Sequence, residues 1–208
     1  MTWTSGPELR ERCTAHLSAF EPRDVEIAER RLAAVALAVV PGPGGEACLV
    51  LTRRASGLRR HSGQWALPGG RLDKGETSLQ AALREMHEEI GLELIPGDAI
   101  GRLDIHLSRS GFAMAPIVFW CDEDPELEPD PEEVAAIYRV PLADLARDDA
   151  LQIIEWDGGR KLPVMSLETV GEIVFSPTAA ILHQFAEVAV HGRRTRVAHF
   201  EEPRFAWR

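Results

Sequence analysis

Cysteine is scarce in this chain, and the sequence has no apolar run long enough to span a bilayer. Its cysteines, Cys13, Cys48 and Cys121, are odd in number and scattered, with no metal-ligand spacing. This pattern predicts reduced thiols in a cytoplasmic protein. The longest apolar run, Leu32 to Val40, is internal and too short for a membrane span. We therefore expect neither a signal peptide nor a transmembrane segment.

Positive charge is also in short supply. The 208 residues contain 23 Lys and Arg against 33 Asp and Glu, a net charge of −10. This balance argues against nucleic acid or anionic membrane as a partner. The length and the 45% hydrophobic content suit one sizeable soluble domain with additions. We expect an N-terminal helical extension (residues 1–30), a main domain (31–192) and a C-terminal tail (193–208).

The segment from Gly75 to Gly91 predicts a helix with its own start and stop signals. Thr77 can serve as the N-cap residue, and Gln80 follows three positions later, as in a capping box. Gly91 stands where a left-handed residue ends a helix. The apolar residues of this helix fall on one arc, which predicts a buried flank: Ala82, Leu83, Met86 and Ile90.

Three glutamates of this helix, Glu85, Glu88 and Glu89, fall within an arc of about 100°. Carboxylates this close repel one another, and Arg84 is a single neighbouring positive charge. A divalent metal ion is the simplest compensation, and ligands that are all oxygen favour Mg²⁺ or Mn²⁺ over zinc. The alternative is an acidic helix face exposed to solvent.

The spacing of eight residues resembles the Nudix box: Gly70, Glu76, Arg84, Glu85, Glu88, Glu89, Gly91 and Leu92. The resemblance implies a Nudix-type α/β/α sandwich around a mixed β-sheet, and a metal-dependent hydrolase. It implies that Glu85, Glu88 and Glu89 are the catalytic residues and metal ligands, with the Gly69 carbonyl as a further ligand. Glu76, Arg84 and Gly91 would hold the loop and the helix together.

An arginine cluster precedes this box. Arg53, Arg54, Arg59 and Arg60 surround Ser56-Gly57, just before the Pro68-Gly69-Gly70 loop. Guanidinium groups match phosphate oxygens bidentately, so a polyphosphate is the expected ligand. The alternative is a basic loop in solvent. We expect Arg53, Arg54 and Arg59 to bind substrate together with Gly69 and Gly70.

This region resembles a second signature, that of the coenzyme A diphosphatase branch of the Nudix family. The residues that carry the resemblance are Leu51-Thr52, Arg54-Ala55, Arg59, Gly63 and Pro68-Gly69-Gly70. Val50, Leu67 and Phe175-Ser176 depart from that branch's pattern. The resemblance implies hydrolysis of coenzyme A or acyl-coenzyme A to 3′,5′-ADP and 4′-phosphopantetheine.

Two alternatives stay open. The protein could act on another small nucleotide with a diphosphate, such as ADP-ribose, a dinucleotide polyphosphate or a damaged nucleotide. It could also be a nucleotide-sensing module without catalysis. Such a module is expected to lose glutamates of the box, and here all of them are present. Covalent catalysis is not expected, because Ser108 and Ser110 have no His/Asp arrangement beside them.

The remaining patterns predict further elements. Strands are expected at 32–40, 47–52, 100–107, 113–121, 151–156, 161–165 and 172–175, and helices from Pro7, at 23–31, at 141–146 and at 177–190. Ser176 is the expected N-cap of the last helix. The acidic stretch 122–133 is expected to be a loop, from which Glu133 could reach the site as a ligand or base. The tail could add an edge strand or form a homodimer contact.

Overall fold

The computed structural model describes residues 3–23, 25–27, 29–57, 63–156, 159–200 and 202–203. Its helices are α1 (Pro7–Ala19), α2 (Ser78–Ile90), α3 (Leu142–Leu145) and α4 (Thr178–Phe185). Its strands are β1 (Arg31–Pro41), β2 (Ala47–Arg54), β3 (Trp65–Ala66), β4 (Gly69–Arg71), β5 (Ala99–Arg102), β6 (His106–Leu107), β7 (Phe112–Trp120), β8 (Val134–Pro141), β9 (Leu151–Trp156), β10 (Arg160–Leu167) and β11 (Glu172–Phe175). A 3₁₀ turn spans Pro96–Asp98, and a wider helical turn, Ala186–Val190, continues α4.

The main sheet is mixed and has β1 at its centre. Its strand order is β3-β2-β1-β7-β5, with β8 also on β2, β4 on the first half of β1, and β6 on β7. Strands β1 and β7 run parallel from the pair Arg31 and Phe112 to the pair Val39 and Trp120, and the other pairs are antiparallel. Strands β9 to β11 form a separate antiparallel sheet. The predicted α/β/α sandwich around a mixed sheet is confirmed.

Both faces of strand β1 carry apolar side chains because helices cover the sheet on both faces. Successive side chains of a strand point to opposite faces. Ala34, Ala36 and Ala38 pack in one core with α2, whereas Val35 and Leu37 pack in the other core with α1 and α4. A strand buried on both faces reads as a continuous apolar run, which is what the sequence shows from Leu32 to Val40.

Helix α2 forms as its local signals predict. The Thr77 hydroxyl accepts the Gln80 amide N–H at 3.3 Å, and the Gln80 side chain accepts the Thr77 N–H at 2.9 Å. Gly91 ends the helix in the left-handed conformation with φ 68°. The buried flank includes Ala82, Met86 and Ile90. Glu89 is buried on this flank as well, which the helix pattern did not predict.

Three details of the predicted elements are wrong. The described residues of 23–30 form no helix, because the chain there already turns toward the sheet: the Arg23 N–H donates to Asp104, and Arg31 pairs with β7. The strand expected at 100–107 is split into β5 and β6. Ser176 does not cap α4, since its hydroxyl points to the Pro163 carbonyl oxygen at 3.5 Å and the helix begins at Thr178.

The acidic stretch 122–133 is a loop, as predicted, and it is tied to the end of α2. The Glu128 and Asp130 N–H groups donate to the carbonyl oxygens of Ile90 and Glu89, both at 2.9 Å. Strand β8 follows this loop and pairs antiparallel with β2. The sequence analysis assigned no element to this strand. Residues 157–158, between β9 and β10, lie outside the described residues.

Both terminal segments pack on the domain. Leu9, Cys13 and Leu17 of α1 belong to the same core as α4. In the tail, Arg196 forms an ion pair with Asp104, and the buried Glu202 lies 3.3 Å from His106 Nε2. Residues 193–200 and 202–203 contain no strand. A homodimer contact stays a prediction. None of the described helices is long and apolar enough to cross a bilayer.

Candidate functional site

Glu89 is the buried carboxylate of the site. Its side chain is 4% exposed, its Oε2 accepts the Gly69 N–H at 3.2 Å, and its Oε1 lies 3.9 Å from Arg54 Nη1. The pKa of Glu89 is raised to about 8, mainly by burial; nearby Glu85 and Glu133 add to the rise, and Arg54 and the Gly69 N–H oppose it. A cation bound beside Glu89 would favour its charged form.

Arg84 holds the other carboxylates in place. Its Nε and Nη2 donate to the two oxygens of Glu76, each at 3.0 Å, and its Nη1 donates to Glu85 at 2.8 Å and to Glu88 at 3.0 Å. Its Nη2 also donates to the Arg71 carbonyl oxygen at 3.1 Å, which joins α2 to the glycine loop. Hydrogen bonds from Arg84 lower the pKa of Glu76, whereas burial raises the pKa of Glu85.

Gly69 and Gly70 bring the backbone of β4 close to both β1 and α2. A Cβ atom at Gly69 would overlap the Ala34 carbonyl oxygen and lie 2.7 Å from Val35 Cα. At Gly70 it would overlap the Glu85 carboxylate. At Gly69 the overlap is with backbone, so only glycine fits there, whereas a side chain at position 70 would displace Glu85. The loop is thus shaped to lie directly against the glutamates.

The adjacent residues Arg53 and Arg54 have separate partners. Arg54 lies beside Glu89, whereas Arg53 Nη1 donates to Glu172 at 3.0 Å and its guanidinium carbon lies 5.3 Å from the centre of the Trp65 ring. The structure therefore brings Arg54 to the glutamates and does not bring Arg53. Arg59, Arg60 and His61 lie outside the described residues, and substrate binding by Arg59 stays a prediction.

Arg54 keeps a free donor in the site. Its Nε is buried and has no hydrogen-bond partner in the described part of the chain. A buried unpaired donor is costly and is retained where a ligand can satisfy it. An oxygen of an anionic ligand would do so, because the guanidinium favours phosphate and carboxylate.

Glu133 stands next to this group. Its carbonyl oxygen accepts the Ala55 N–H at 2.8 Å, which fixes it beside Arg54. The negative charge of Glu133 raises the pKa values of both Glu85 and Glu89. The structure thus places Glu133 within electrostatic reach of the box glutamates, while its role as ligand or base stays a prediction.

A cavity of about 240 Å³ opens from the glycine loop. It is lined by residues of β1, β3, β4, β7 and α4, among them Arg54, Trp65, Gly69, Gly70, Arg71, Ser110, Phe112, Met114, Thr178 and Ile181. The sequence analysis did not single out Trp65, Arg71, Phe112 or Thr178 as site residues. Strand pairing brings Trp65, Arg71 and Phe112 to the cavity, and the Thr178 hydroxyl of α4 donates to the Trp65 carbonyl oxygen at 3.0 Å. These contacts join positions that are distant in the sequence, so the local sequence does not predict them.

The donor set fits a hard divalent cation. Carboxylate and carbonyl oxygens from Glu85, Glu88, Glu89 and Gly69 are the ligands that Mg²⁺ and Mn²⁺ prefer. Glu89 is buried, and the negative charges of Glu85 and Glu133 act on it, so a bound cation would be stabilised there. As the side chains stand, no three acidic, histidine or cysteine groups among the described residues converge on one point, and Arg84 holds Glu85 and Glu88. Metal binding therefore requires these two carboxylates to turn from Arg84.

A mixed sheet between helices, with a glycine loop laid against the glutamates of α2, defines a Nudix-type protein. Residues 30–157, more than half of the chain, match the NUDIX domain. The chain belongs to the Nudix hydrolase family.

Curated relatives of the chain carry the name uncharacterized Nudix hydrolase NudL. The protein from Enterobacter sp. (strain 638) is 40% identical over 125 residues, which cover 59% of this chain and 63% of the relative. The chain therefore spans less than two thirds of that relative's length. The protein from Yersinia enterocolitica is 34% identical over 157 residues, covering 74% of this chain and 80% of the relative.

Two solved structures support the fold. A NUDIX hydrolase from Alicyclobacillus acidocaldarius superposes with a TM-score of 0.51 at 18% identity, covering 79% of this chain and 94% of that chain. A MutT/nudix family protein from Enterococcus faecalis also gives a TM-score of 0.51, at 16% identity, covering 83% of this chain and 64% of that chain. At these identities the likeness concerns the fold alone.

Proposed function

We propose that the protein is a metal-dependent hydrolase that cleaves the diphosphate of coenzyme A or acyl-coenzyme A. The products are 3′,5′-ADP and (acyl-)4′-phosphopantetheine. The observation that supports this proposal most is that the buried Glu89 contacts Arg54 and the Gly69 N–H, two groups of residues that line the cavity. Together, these residues combine a phosphate-binding cation with oxygen ligands for a metal.

Each part has a chemical task. Arg54 would bind a phosphate oxygen through the unpaired Nε and stabilise the negative charge on the phosphoryl oxygens. Glu85, Glu88, Glu89 and the Gly69 carbonyl would hold Mg²⁺ or Mn²⁺. When bound, the metal ion neutralises the diphosphate and makes a water molecule more acidic. A glutamate beside the diphosphate, with Glu89 and Glu133 as the candidates, takes the proton from the attacking water.

The choice of coenzyme A rests on the resemblance of residues 51–70 to the coenzyme A diphosphatase signature. In the structure, Thr52 and Arg54 of that signature belong to β2, and Gly69-Gly70 form the start of β4. The Thr52 hydroxyl donates to the Ala66 carbonyl oxygen at 3.0 Å and so fixes β3 ahead of the glycine loop. These residues thus support the cavity wall from which Arg54 reaches the site.

A substrate panel tests the proposal. The purified protein is incubated with Mg²⁺ or Mn²⁺ and with coenzyme A, dephospho-coenzyme A, ADP-ribose, NADH and diadenosine polyphosphates, and the products are identified by mass spectrometry. We expect 3′,5′-ADP and 4′-phosphopantetheine from coenzyme A. If the protein cleaved ADP-ribose and left coenzyme A intact, the proposal that coenzyme A is the substrate would be wrong. Nucleotide binding without any product would indicate a sensing module.

A further inference from the structure

The main sheet carries a second cationic group on the face turned away from α2. Arg31 of β1 is paired with Phe112 of β7, and Ala33 of β1 is paired with Arg71 of β4. Paired residues and residues two apart on a strand project to the same side of a sheet. Arg31, Arg71 and Phe112 therefore share one face, which is the face of Val35 and the cavity.

The two guanidinium groups surround one aromatic ring. The guanidinium carbon of Arg31 lies 4.1 Å from the centre of the Phe112 ring, and that of Arg71 lies 5.3 Å from it. Arg31 Nη2 also donates to the Ser110 carbonyl oxygen at 3.1 Å. Phe112 thus holds both cations near each other through contacts with its π face. We call Arg31, Arg71 and Phe112 the arginine clamp.

Among the described residues, no carboxylate neutralises the arginine clamp. Within the part of the chain that the structure describes, neither Arg31 nor Arg71 forms an ion pair with a carboxylate. By contrast, Arg54, which lines the same cavity, is paired with Glu89, and Arg53 and Arg84 are paired with Glu172 and Glu76. Arg31 and Arg71 are both exposed and lie against the same Phe112 ring. Their mutual repulsion would be relieved by a bound anion.

The arginine clamp opens into the cavity of the proposed hydrolytic site. Arg71, Ser110 and Phe112 line the cavity together with Arg54 and Gly70. Arg71 directly follows Gly70, and its carbonyl oxygen is held by Arg84. A ligand whose diphosphate lies at Gly70 can therefore extend along the cavity to a second anionic group at Arg71.

We propose that the arginine clamp is a second phosphate-binding site that takes a phosphomonoester on the nucleoside half of the substrate. Arginine forks bind the oxygens of a terminal phosphate bidentately, with charge-assisted hydrogen bonds. This inference rests on the proposed function, because coenzyme A carries a 3′-phosphate on its ribose that dephospho-coenzyme A lacks. The arginine clamp then selects between these two substrates, while the glutamates act on the diphosphate common to both.

Calorimetric titration with product-like probes tests the site without catalysis. The probes are adenosine 3′,5′-bisphosphate and 5′-AMP, which differ by one phosphate. We expect the intact protein to bind the bisphosphate about tenfold or more tightly than 5′-AMP, as for one charge-assisted contact. Arg71→Gln and Arg31→Gln should reduce this ratio toward one. Arg194→Gln, which removes an exposed arginine of the tail, serves as the control and should leave the ratio unchanged.

Kinetics separates this inference from the proposed function. With coenzyme A, Arg71→Gln should lower kcat/KM about tenfold, mainly through KM, while kcat/KM for dephospho-coenzyme A stays the same. The inference would be overturned if the wild-type protein bound adenosine 3′,5′-bisphosphate and 5′-AMP with equal affinity. It would also be overturned if the Arg31→Gln/Arg71→Gln protein kept the wild-type ratio of these two affinities. If the protein binds the bisphosphate more tightly than 5′-AMP but does not cleave coenzyme A, the proposed function is wrong while the arginine clamp is still a phosphate-binding site.

Discussion

Gly70 and Glu85 touch across the gap between β4 and α2, so closely that a Cβ atom at position 70 would overlap the Glu85 carboxylate. The contact fixes where Glu85 can point, because Arg84 holds the same carboxylate from the other side at 2.8 Å. The glycine thus controls the position of one proposed metal ligand without contributing a side chain.

Gly70→Ala is therefore expected to displace Glu85 and to lower kcat/KM by about a hundredfold, since small misplacements of catalytic groups are costly. The Glu85 side chain can turn away, so the fold should survive and thermal unfolding should change little. Gly97→Ala is the matched control, because its Cβ would make only an ordinary contact at 3.8 Å with Ile95. Equal loss of activity in both variants would contradict the role of the Gly70 contact.

Arg53 and Arg54 are expected to differ in their effects on catalysis. Arg54→Gln removes the unpaired donor beside Glu89 and should lower kcat/KM about a hundredfold or more, as for loss of a group that stabilises developing charge. Arg53→Gln removes contacts to Glu172 and Trp65 and should change kcat/KM much less. Steady-state kinetics on the cleaved substrate measures both. If Arg53→Gln lowers kcat/KM more than Arg54→Gln does, then Arg53 and not Arg54 is the arginine that binds the phosphate.

Metal binding should stabilise the folded protein. Only the folded protein brings the proposed ligands near one another, so Mg²⁺ or Mn²⁺ at about a hundred times its Kd should add about 2.7 kcal/mol to the free energy of unfolding. The readout is the rise of Tm with metal concentration, which needs no substrate.

The metal-induced rise of Tm should depend on the box glutamates. Glu85→Gln should reduce the rise strongly, because a ligand is lost. Glu93→Gln, at an exposed glutamate beyond the end of α2, is the control and should retain it. A rise of Tm that is the same in both variants would exclude Glu85 as a ligand.

The N-terminal cap of α2 is expected to contribute to stability. Thr77→Ala removes the acceptor for the Gln80 N–H and should lower the free energy of unfolding by about 1 kcal/mol. Thr77→Ser keeps the hydroxyl and should recover most of the loss. Urea unfolding of the three proteins provides the comparison, and an unchanged midpoint for Thr77→Ala would mean that the cap does not limit stability.

The helix that carries the glutamates could be predicted because its signals are local. Thr77, Gln80 and Gly91 each act within one helical turn of the residue that they cap or stop, and all three behave as expected. The Nudix spacing is likewise local, so the fold class followed from it. The prediction of a helix at 23–31 was wrong because the position of that segment is decided by β7 and Asp104, which are distant in the sequence.

The cavity could not be predicted for the same physical reason. Phe112 and Arg71 meet because β4 and β7 both pair with β1, and the sequence does not show those pairings. From the sequence, the adjacent residues Arg53 and Arg54 are expected to bind substrate as parts of one arginine cluster. Alternation along β2, with a bulge at Arg53 and Arg54, gives them different partners.

Substitution of Glu89 tests the central claim most directly. Glu89→Gln keeps the size of this buried side chain and removes its charge, so Tm should not fall, because burial disfavours the charged form. With the whole substrate panel and either metal ion, the folded variant should form no detectable diphosphate-cleavage products, whereas the wild-type protein should cleave coenzyme A. Undiminished turnover by a folded Glu89→Gln protein would contradict the assignment of this glutamate face as the hydrolytic centre.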